Sequence, residues 1–161
     1  MPIDAHLVSL REITAETVRA VVRLSVAESQ KGFVAPNAVS LAQALFSPEA
    51  WYRAIYLGDE MVGFVMLYDE SLRIAPPPDP AIGVWRFMID AGFQGRGIGT
   101  AALSKVIQHV REKGLFKTLE LSYVPGPGSP EPFYLGLGFR HTGRLDGAEV
   151  VLEMQFAQNE T

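Results

Sequence analysis

The residues Asp90-Ala-Gly-Phe-Gln-Gly-Arg-Gly-Ile-Gly-Thr100 follow an apolar run and open the longest helical pattern in the chain. Gln94, Gly95, Arg96, Gly97, Ile98 and Gly99 set three glycines at alternate positions where strand should become helix. Without Cβ atoms the backbone can take left-handed φ values and come close to a ligand. The first N–H groups of a helix have no internal partner and lie at the positive end of its dipole. Such a turn is an anion cradle, and phosphate or pyrophosphate is its expected occupant. A Walker loop would carry Lys-Ser or Lys-Thr after its last glycine, whereas Thr100 follows Gly99 directly. A dinucleotide fingerprint would need glycine where Thr100 stands, and an N-terminal β-α-β setting that is missing here. A turn serving geometry alone is the plainer alternative, but three alternating glycines behind a glutamine cost conformational entropy merely to turn a corner.

Elsewhere the chemistry is narrowed by what is missing. Cysteine is absent, which excludes thiol catalysis, disulfides and cysteine-based metal sites together. His6, His109 and His141 have no ligand spacing, and His109 reads as a helix-surface residue, so no metal site is expected. Fourteen basic against 18 acidic residues leave a formal charge of −4. Nucleic-acid binders show the opposite balance, while small cationic ligands are tolerated. Residues 1–6 have neither the cationic nor the apolar segment of a signal peptide. The longest apolar stretch, around residues 62–68, is too short to cross a bilayer. A cytoplasmic protein with no membrane partner is expected. The length of 161 residues suits one domain over 1–161.

The elements that must position this turn read as mixed α and β. Residues 7–13 suit a first strand, and Thr14 an N-cap for a helix with Val18, Val21, Val22 and Ser25 or Val26 on its apolar face. A polar stretch over 28–37 precedes short helical pieces at 40–45 and 48–51. Residues 53–57 and 61–68 form a hairpin about Gly58-Asp59-Glu60. After a proline cluster, residues 81–89 are apolar enough for a central strand covered on both faces. The helix over 97–113 buries Ala101, Ala102, Val106, Ile107 and Val110 and stops at Gly114. A strand over 118–123 and a short helix over 131–137 follow. Strands 140–145 and 149–156 close the chain around Asp146-Gly147. The sum is an α/β sheet of about seven strands with helices on both faces.

Two motifs then carry a resemblance. Gln94 to Gly99 match Gln/Arg-x-x-Gly-x-Gly/Ala, and Tyr134-Leu-Gly-Leu-Gly138-Phe139 matches Tyr-x-x-x-Gly-Phe. In both, the chain resembles the GNAT family of N-acetyltransferases. The resemblance implies that Gln94 to Thr100 hold the pyrophosphate of acetyl-CoA, and that the main chain of Phe87, Met88 and Ile89 pairs with its pantetheine arm. A backbone N–H of Phe87 or Ile89 would meet the acetyl carbonyl. Tyr134 would face the sulfur, as a proton donor or a hydrogen-bond donor to it; its plainer role is an aromatic core residue beside Phe133 and Phe139. Direct attack in a ternary complex needs no protein nucleophile, in keeping with the missing cysteines. A valine at Gly97 is expected to weaken cofactor binding by crowding.

From about Leu10 to Phe156 the chain looks like the bacterial spermine/spermidine (diamine) acetyltransferases of the Blt-associated type. Glu28-Ser-Gln30-Lys31-Gly32-Phe33-Val34-Ala35-Pro36-Asn37 carries much of this, with Trp85 to Asp90 and Leu121 to Gly126. One departure is Pro127, where that branch has an asparagine on the cofactor; Gly128 or Ser129 could replace the contact. Ser129 would cap the next helix, with Pro130 and Pro132 in its first turn. The implied acceptor is a primary amine of a small molecule, spermidine or spermine first. Another amine (an aminoglycoside, an amino acid, a protein N-terminus) and a non-catalytic acyl-CoA sensor remain open. Glu28 is the first candidate to hold the cation or take its proton, with Asp69, Glu70 and Glu120 behind it. Trp85 could stack on the amine, and Arg86 needs an acidic or phosphate partner. A homodimer pairing through the closing hairpin is a further expectation of the resemblance.

Overall fold

The chain divides at its glycines and prolines into β1 (Val8–Arg11), α1 (Val18–Arg23), α2 (Asn37–Ala44), β2 (Ala50–Leu57), β3 (Glu60–Asp69), β4 (Ile82–Ile89) and α3 (Ile98–Lys113). β5 (Thr118–Tyr123), α4 (Glu131–Gly136), β6 (Arg140–Asp146) and β7 (Glu149–Gln155) complete it. The structure is a computed structural model describing residues 3–157; residues 1–2 and 158–161 of the expected 1–161 domain lie outside the described residues.

All seven strands join one sheet in the order β1-β2-β3-β4-β5-β7-β6. Neighbours are antiparallel except β4 and β5, which run parallel. That parallel pair is joined only at Gly83 with Glu120 and Val84 with Leu121. Beyond Val84 the two strands part, and the sheet opens into a slit. A bulge in β4, between the partners of Met66 and Leu67, adds local twist at the place where they separate.

Alternation along the strands builds two cores. Val65, Leu67, Leu119, Leu121 and Leu152 pack beneath α3, whose Ile98, Ala102, Leu103, Val106 and Val110 recur at helical spacing and are buried. Ala54, Phe64, Met66 and Met88 face the other way, against Val21 of α1 and Leu41 of α2. Helices therefore cover both faces of the β1–β4 half, and the slit lies at its boundary with the β5–β7–β6 half.

Four local expectations change. Pro48 and Glu49 turn the chain and β2 starts at Ala50, so residues 48–51 are not helical. α1 begins at Val18 and its cap is Thr17, not Thr14; the Thr17 carbonyl accepts the first helical bond from Val21 N at 3.2 Å, and its hydroxyl accepts from Thr14 N at 2.8 Å. The helix ends at Arg23, which leaves Val26 outside it and Val22 facing solvent. Residues 83–87 of β4 are half-exposed rather than doubly covered, because the slit opens beside them. The β6 edge is polar and exposed, with a register shift between His141 and Leu145. Such an edge discourages pairing with a second sheet.

Asp69, one of the carboxylates considered for a cation, is fully buried and has a structural task. It accepts hydrogen bonds from Ser71 N at 2.9 Å and Oγ at 2.6 Å, and its other oxygen pairs with Lys113 Nζ at 3.0 Å. Removing one partner of a buried pair leaves the other uncompensated. Asp69→Ala is expected to lower stability by about 3 kcal/mol in equilibrium denaturant unfolding; a loss too small to measure would show the pair to be dispensable.

Candidate active site

The slit between β4 and β5 widens into a cleft of about 980 Å³. Its walls are the α1–α2 connection from Gln30 to Pro36, the exposed part of β4, the glycine turn, Gly128 to Pro130, Phe133 and Tyr134, and the β6–β7 hairpin.

Asp90 sets the glycine turn in place. Its two oxygens accept from Ser25 N at 2.8 Å and from Gly92 N at 3.1 Å. Gln94 then braces the turn, donating to the Ile89 carbonyl at 2.9 Å and to Gln30 Oε1 at 2.7 Å. Gly95 and Gly97 hold φ values of 76° and 82°, a region open to glycine and strained for valine. A Cβ at either would meet nothing within 4 Å, so valine there acts through backbone strain and not through the crowding expected. Gly97 caps α3 without a side-chain acceptor, and the first helical bond runs from Ala101 N to the Gly97 carbonyl at 3.2 Å. The N–H groups of Ile98, Gly99 and Thr100 thus lack helical partners, and these residues line the cleft. Gln94, Gly95 and Gly97 line it too; Arg96 does not, its guanidinium lying 5.9 Å from the centre of the Phe93 ring.

β4 supplies main-chain groups to the cleft as well. The Asp90 N–H donates to the Val62 carbonyl on the β3 side at 2.8 Å. Alternation then turns the Met88 main chain toward β3 and those of Phe87 and Ile89 toward the cleft. Met88 therefore contributes only its side chain to the lining, and the Ile89 carbonyl is occupied by Gln94.

Tyr134 enters from the α3 side of the sheet. Its ring packs edge-on against Phe139, 6.0 Å between centres, and tilted against Phe133 at 5.4 Å. It is both a core aromatic and a cleft residue. Burial pushes its phenol up to about 12, and among the described residues its hydroxyl makes no hydrogen bond. Tyr123, the other phenol nearby, is engaged elsewhere, donating to Glu131 Oε2 at 2.7 Å. Gly128 and Ser129 line the cleft. The cap of α4 is Pro130 instead of Ser129, with Pro132 in the first turn, and the Ser129 hydroxyl accepts from Glu131 N at 3.4 Å.

The acidic candidates do not gather here. Glu28 is exposed and pairs with Lys31 at 2.7 Å, outside the lining of the cleft. Glu70 pairs with Arg73 at 3.2 Å, and Glu120 with Arg144 at 2.6 Å beside a smaller cavity next to the cleft. The carboxylates in the cleft are Asp146, which the sequence marks only as part of the hairpin turn, and Glu149, which no motif marks. Glu28→Gln is expected to change kcat/KM for any amine by less than about twofold, since an exposed ion pair contributes little; a large loss would return Glu28 to the site. Among the described residues Arg86 has no acid in contact. It donates to the Trp85 carbonyl at 3.0 Å and Gln43 Oε1 at 3.1 Å, and its buried Nε has no partner. Burial holds its guanidinium below the ordinary arginine value, with the Glu149 carboxylate opposing that shift. Trp85 lines the cleft and meets Tyr68 edge-on, 6.2 Å between ring centres.

Among the described residues no group of His, Cys, Asp and Glu could hold a metal ion, and no helix is long and apolar enough to cross a membrane. The family model described as Acetyltransferase (GNAT) family matches residues 16–139. The spermine/spermidine N(1)-acetyltransferase of Bacillus subtilis (strain 168) is 28% identical over 148 residues, covering 86% of this chain and 91% of that protein. A GNAT family acetyltransferase from Elizabethkingia anophelis, crystallised with acetyl-CoA, superposes with a TM-score of 0.63 at 18% identity over 93% of this chain and 99% of that one. The PaiA N-acetyltransferase of Thermoplasma acidophilum, in complex with coenzyme A, gives 0.62 at 15% identity over 92% and 99%.

Proposed function

This chain belongs to the acetyltransferase (GNAT) family, with acetyl-CoA as its cosubstrate, and on that premise we propose that it acetylates a primary amine of a small molecule, spermidine or spermine first, by direct attack in a ternary complex. The observation that carries the reading is the pairing of an uncapped, glycine-bent helix start with an unengaged phenol across one slit. The uncapped amides of Ile98, Gly99 and Thr100 suit a diphosphate, so the residues present fit the cosubstrate. When bound, acetyl-CoA supplies an acetyl group already activated as a thioester.

Each part of the chain then has a task. The amides at the start of α3 hold negative charge, with Gly128 and Ser129 closing the opposite wall. The Phe87 and Ile89 main chain offers an open strand edge, and a preorganised N–H there steadies charge on the acetyl oxygen. Tyr134 serves the sulfur. A phenol held at about 12 is a much weaker acid than a thiol near ~8.5, so full transfer of its proton is uphill by roughly 5 kcal/mol. Its task is hydrogen-bond donation to the charge that develops, not delivery of a free proton.

The polyamine reading draws on the Bacillus relative's name and on the two carboxylates in the cleft, Asp146 and Glu149. Placing the reaction in the cytoplasm belongs to the same reading, as does one domain over 1–161. The test is thiol release from acetyl-CoA with spermidine, spermine, aminoglycosides and amino acids. Release with a polyamine supports the reading; release only with another amine reassigns the acceptor. Tight acetyl-CoA binding with no release for any amine would make the protein a sensor.

A further inference from the structure

The alternation of the strands sorts the groups around the slit by face. On β5, Leu119, Leu121 and Tyr123 pack into the α3-side core, so Ser122 points to the other face. On β7, Val150, Leu152 and Met154 pack on that same side, which turns Glu149 to the face of Ser122. On β4, Arg86 pairs with Met66 of the opposite core and shares that face as well. Tyr134 belongs to the α3-side core. The slit therefore has a phenol on one side and a carboxylate on the other.

Glu149 is fastened at the slit. The Ser122 hydroxyl donates to its Oε2 at 3.3 Å, and Ser122 is the first β5 residue beyond the last β4–β5 pair. No cation lies within ion-pair distance of it among the described residues; Arg86 acts on it from farther away. The other charges nearby are Asp146, its partner across the hairpin, and Lys31 on the far wall, while Glu120 and Glu153 share Arg144.

We propose that Glu149, held by Ser122, takes the proton from the acceptor's ammonium group. The inference rests on the amine-acetylation reading above. An N–H bond of the ammonium breaks, its proton passes to a Glu149 oxygen, and the nitrogen keeps the electron pair with which it attacks. The carboxylic acid returns that proton to water at the cleft mouth; as the C–S bond breaks, the attacking nitrogen gives up its second proton and the departing sulfur takes one up by way of water, so one proton leaves for each amide and thiol formed. The amine enters from the face opposite Tyr134, so attack and sulfur departure are served from opposite sides.

The test compares 1,3-diaminopropane with its 2,2-difluoro analogue, nearly equal in size and far apart in basicity. The fluorinated amine is largely uncharged at neutral pH and needs no proton acceptor. Glu149→Gln is expected to lower kcat/KM for diaminopropane about 100-fold and for the analogue by less than about 5-fold. Acetyl-CoA affinity, read by calorimetry, should stay within about twofold, as Glu149 is assigned no cosubstrate contact. Equal losses for both amines, or no loss, would overturn the assignment. If Glu149→Gln fails to bind acetyl-CoA, Ser122→Ala takes its place, and a loss confined to diaminopropane supports the inference while an equal loss refutes it. A parent protein that binds acetyl-CoA but acetylates no amine would overturn the functional reading, and the inference with it.

Discussion

Tyr134→Phe is expected to lower kcat by about 100- to 1000-fold while leaving acetyl-CoA affinity within about twofold. The substitution removes one oxygen and keeps the ring, so the packing against Phe133 and Phe139 survives. Among the described residues its hydroxyl has no hydrogen-bond partner, and its loss strands no buried donor or acceptor there. What disappears is a hydrogen bond to charge that exists only as the thioester breaks, and losing an interaction of that kind lowers kcat without raising KM. Because burial holds the phenol at about 12, it stays protonated throughout neutral and mildly alkaline pH. The loss should therefore be one constant factor from about pH 6 to pH 10. A loss that faded toward alkaline pH would mean that the phenol acts through its ionised form, and unchanged turnover would return Tyr134 to the core alone.

The second large effect belongs to the glycine turn. Gly97→Val should weaken acetyl-CoA binding about 30-fold, and Gly95→Val with Gly97→Val about 1000-fold, by calorimetry. Each position needs a φ that costs a side-chain-bearing residue roughly 2 kcal/mol, and about 1.4 kcal/mol is tenfold in affinity. Nothing blocks the added side chains, so the strain is relieved by turning the peptide units and misdirecting the N–H groups of the first helical turn. Asp90 and the Gln94 brace hold the β4 side of the turn. Unchanged affinity in the double variant would mean that these amides do not carry the diphosphate.

These two groups were legible in the sequence because their chemistry is local. A turn of three alternating glycines between an apolar run and a helical pattern states its backbone geometry in six residues. The strand over 118–123 was legible for the same reason, as a short alternating run, and β5 has those bounds. The carboxylates at the slit were not legible. Glu149 reaches it because β7 inserts between β5 and β6 and because β4 parts from β5 after two pairs. Neither fact is written in any window of sequence. Glu28 drew attention through a matched segment, yet its side chain turns out to solvent and to Lys31. His109 read as a surface residue; Trp51, arriving on β2 from far away in sequence, stacks on it with ring centres 4.4 Å apart. Burial then pushes its imidazole down, with Lys113 and Arg53 adding to the shift. In each case local pattern gave the element, and the choice of neighbour came from strand order.

The most direct test is a crystal structure of the protein soaked with acetyl-CoA. The diphosphate oxygens should lie within hydrogen-bond distance, about 3 Å, of the main-chain nitrogens from Gly97 to Thr100. The sulfur should sit beside the Tyr134 hydroxyl, with Phe87 and Ile89 along the arm between. A diphosphate bound away from the glycine turn, or a sulfur on the Glu149 face of the slit, would contradict the account.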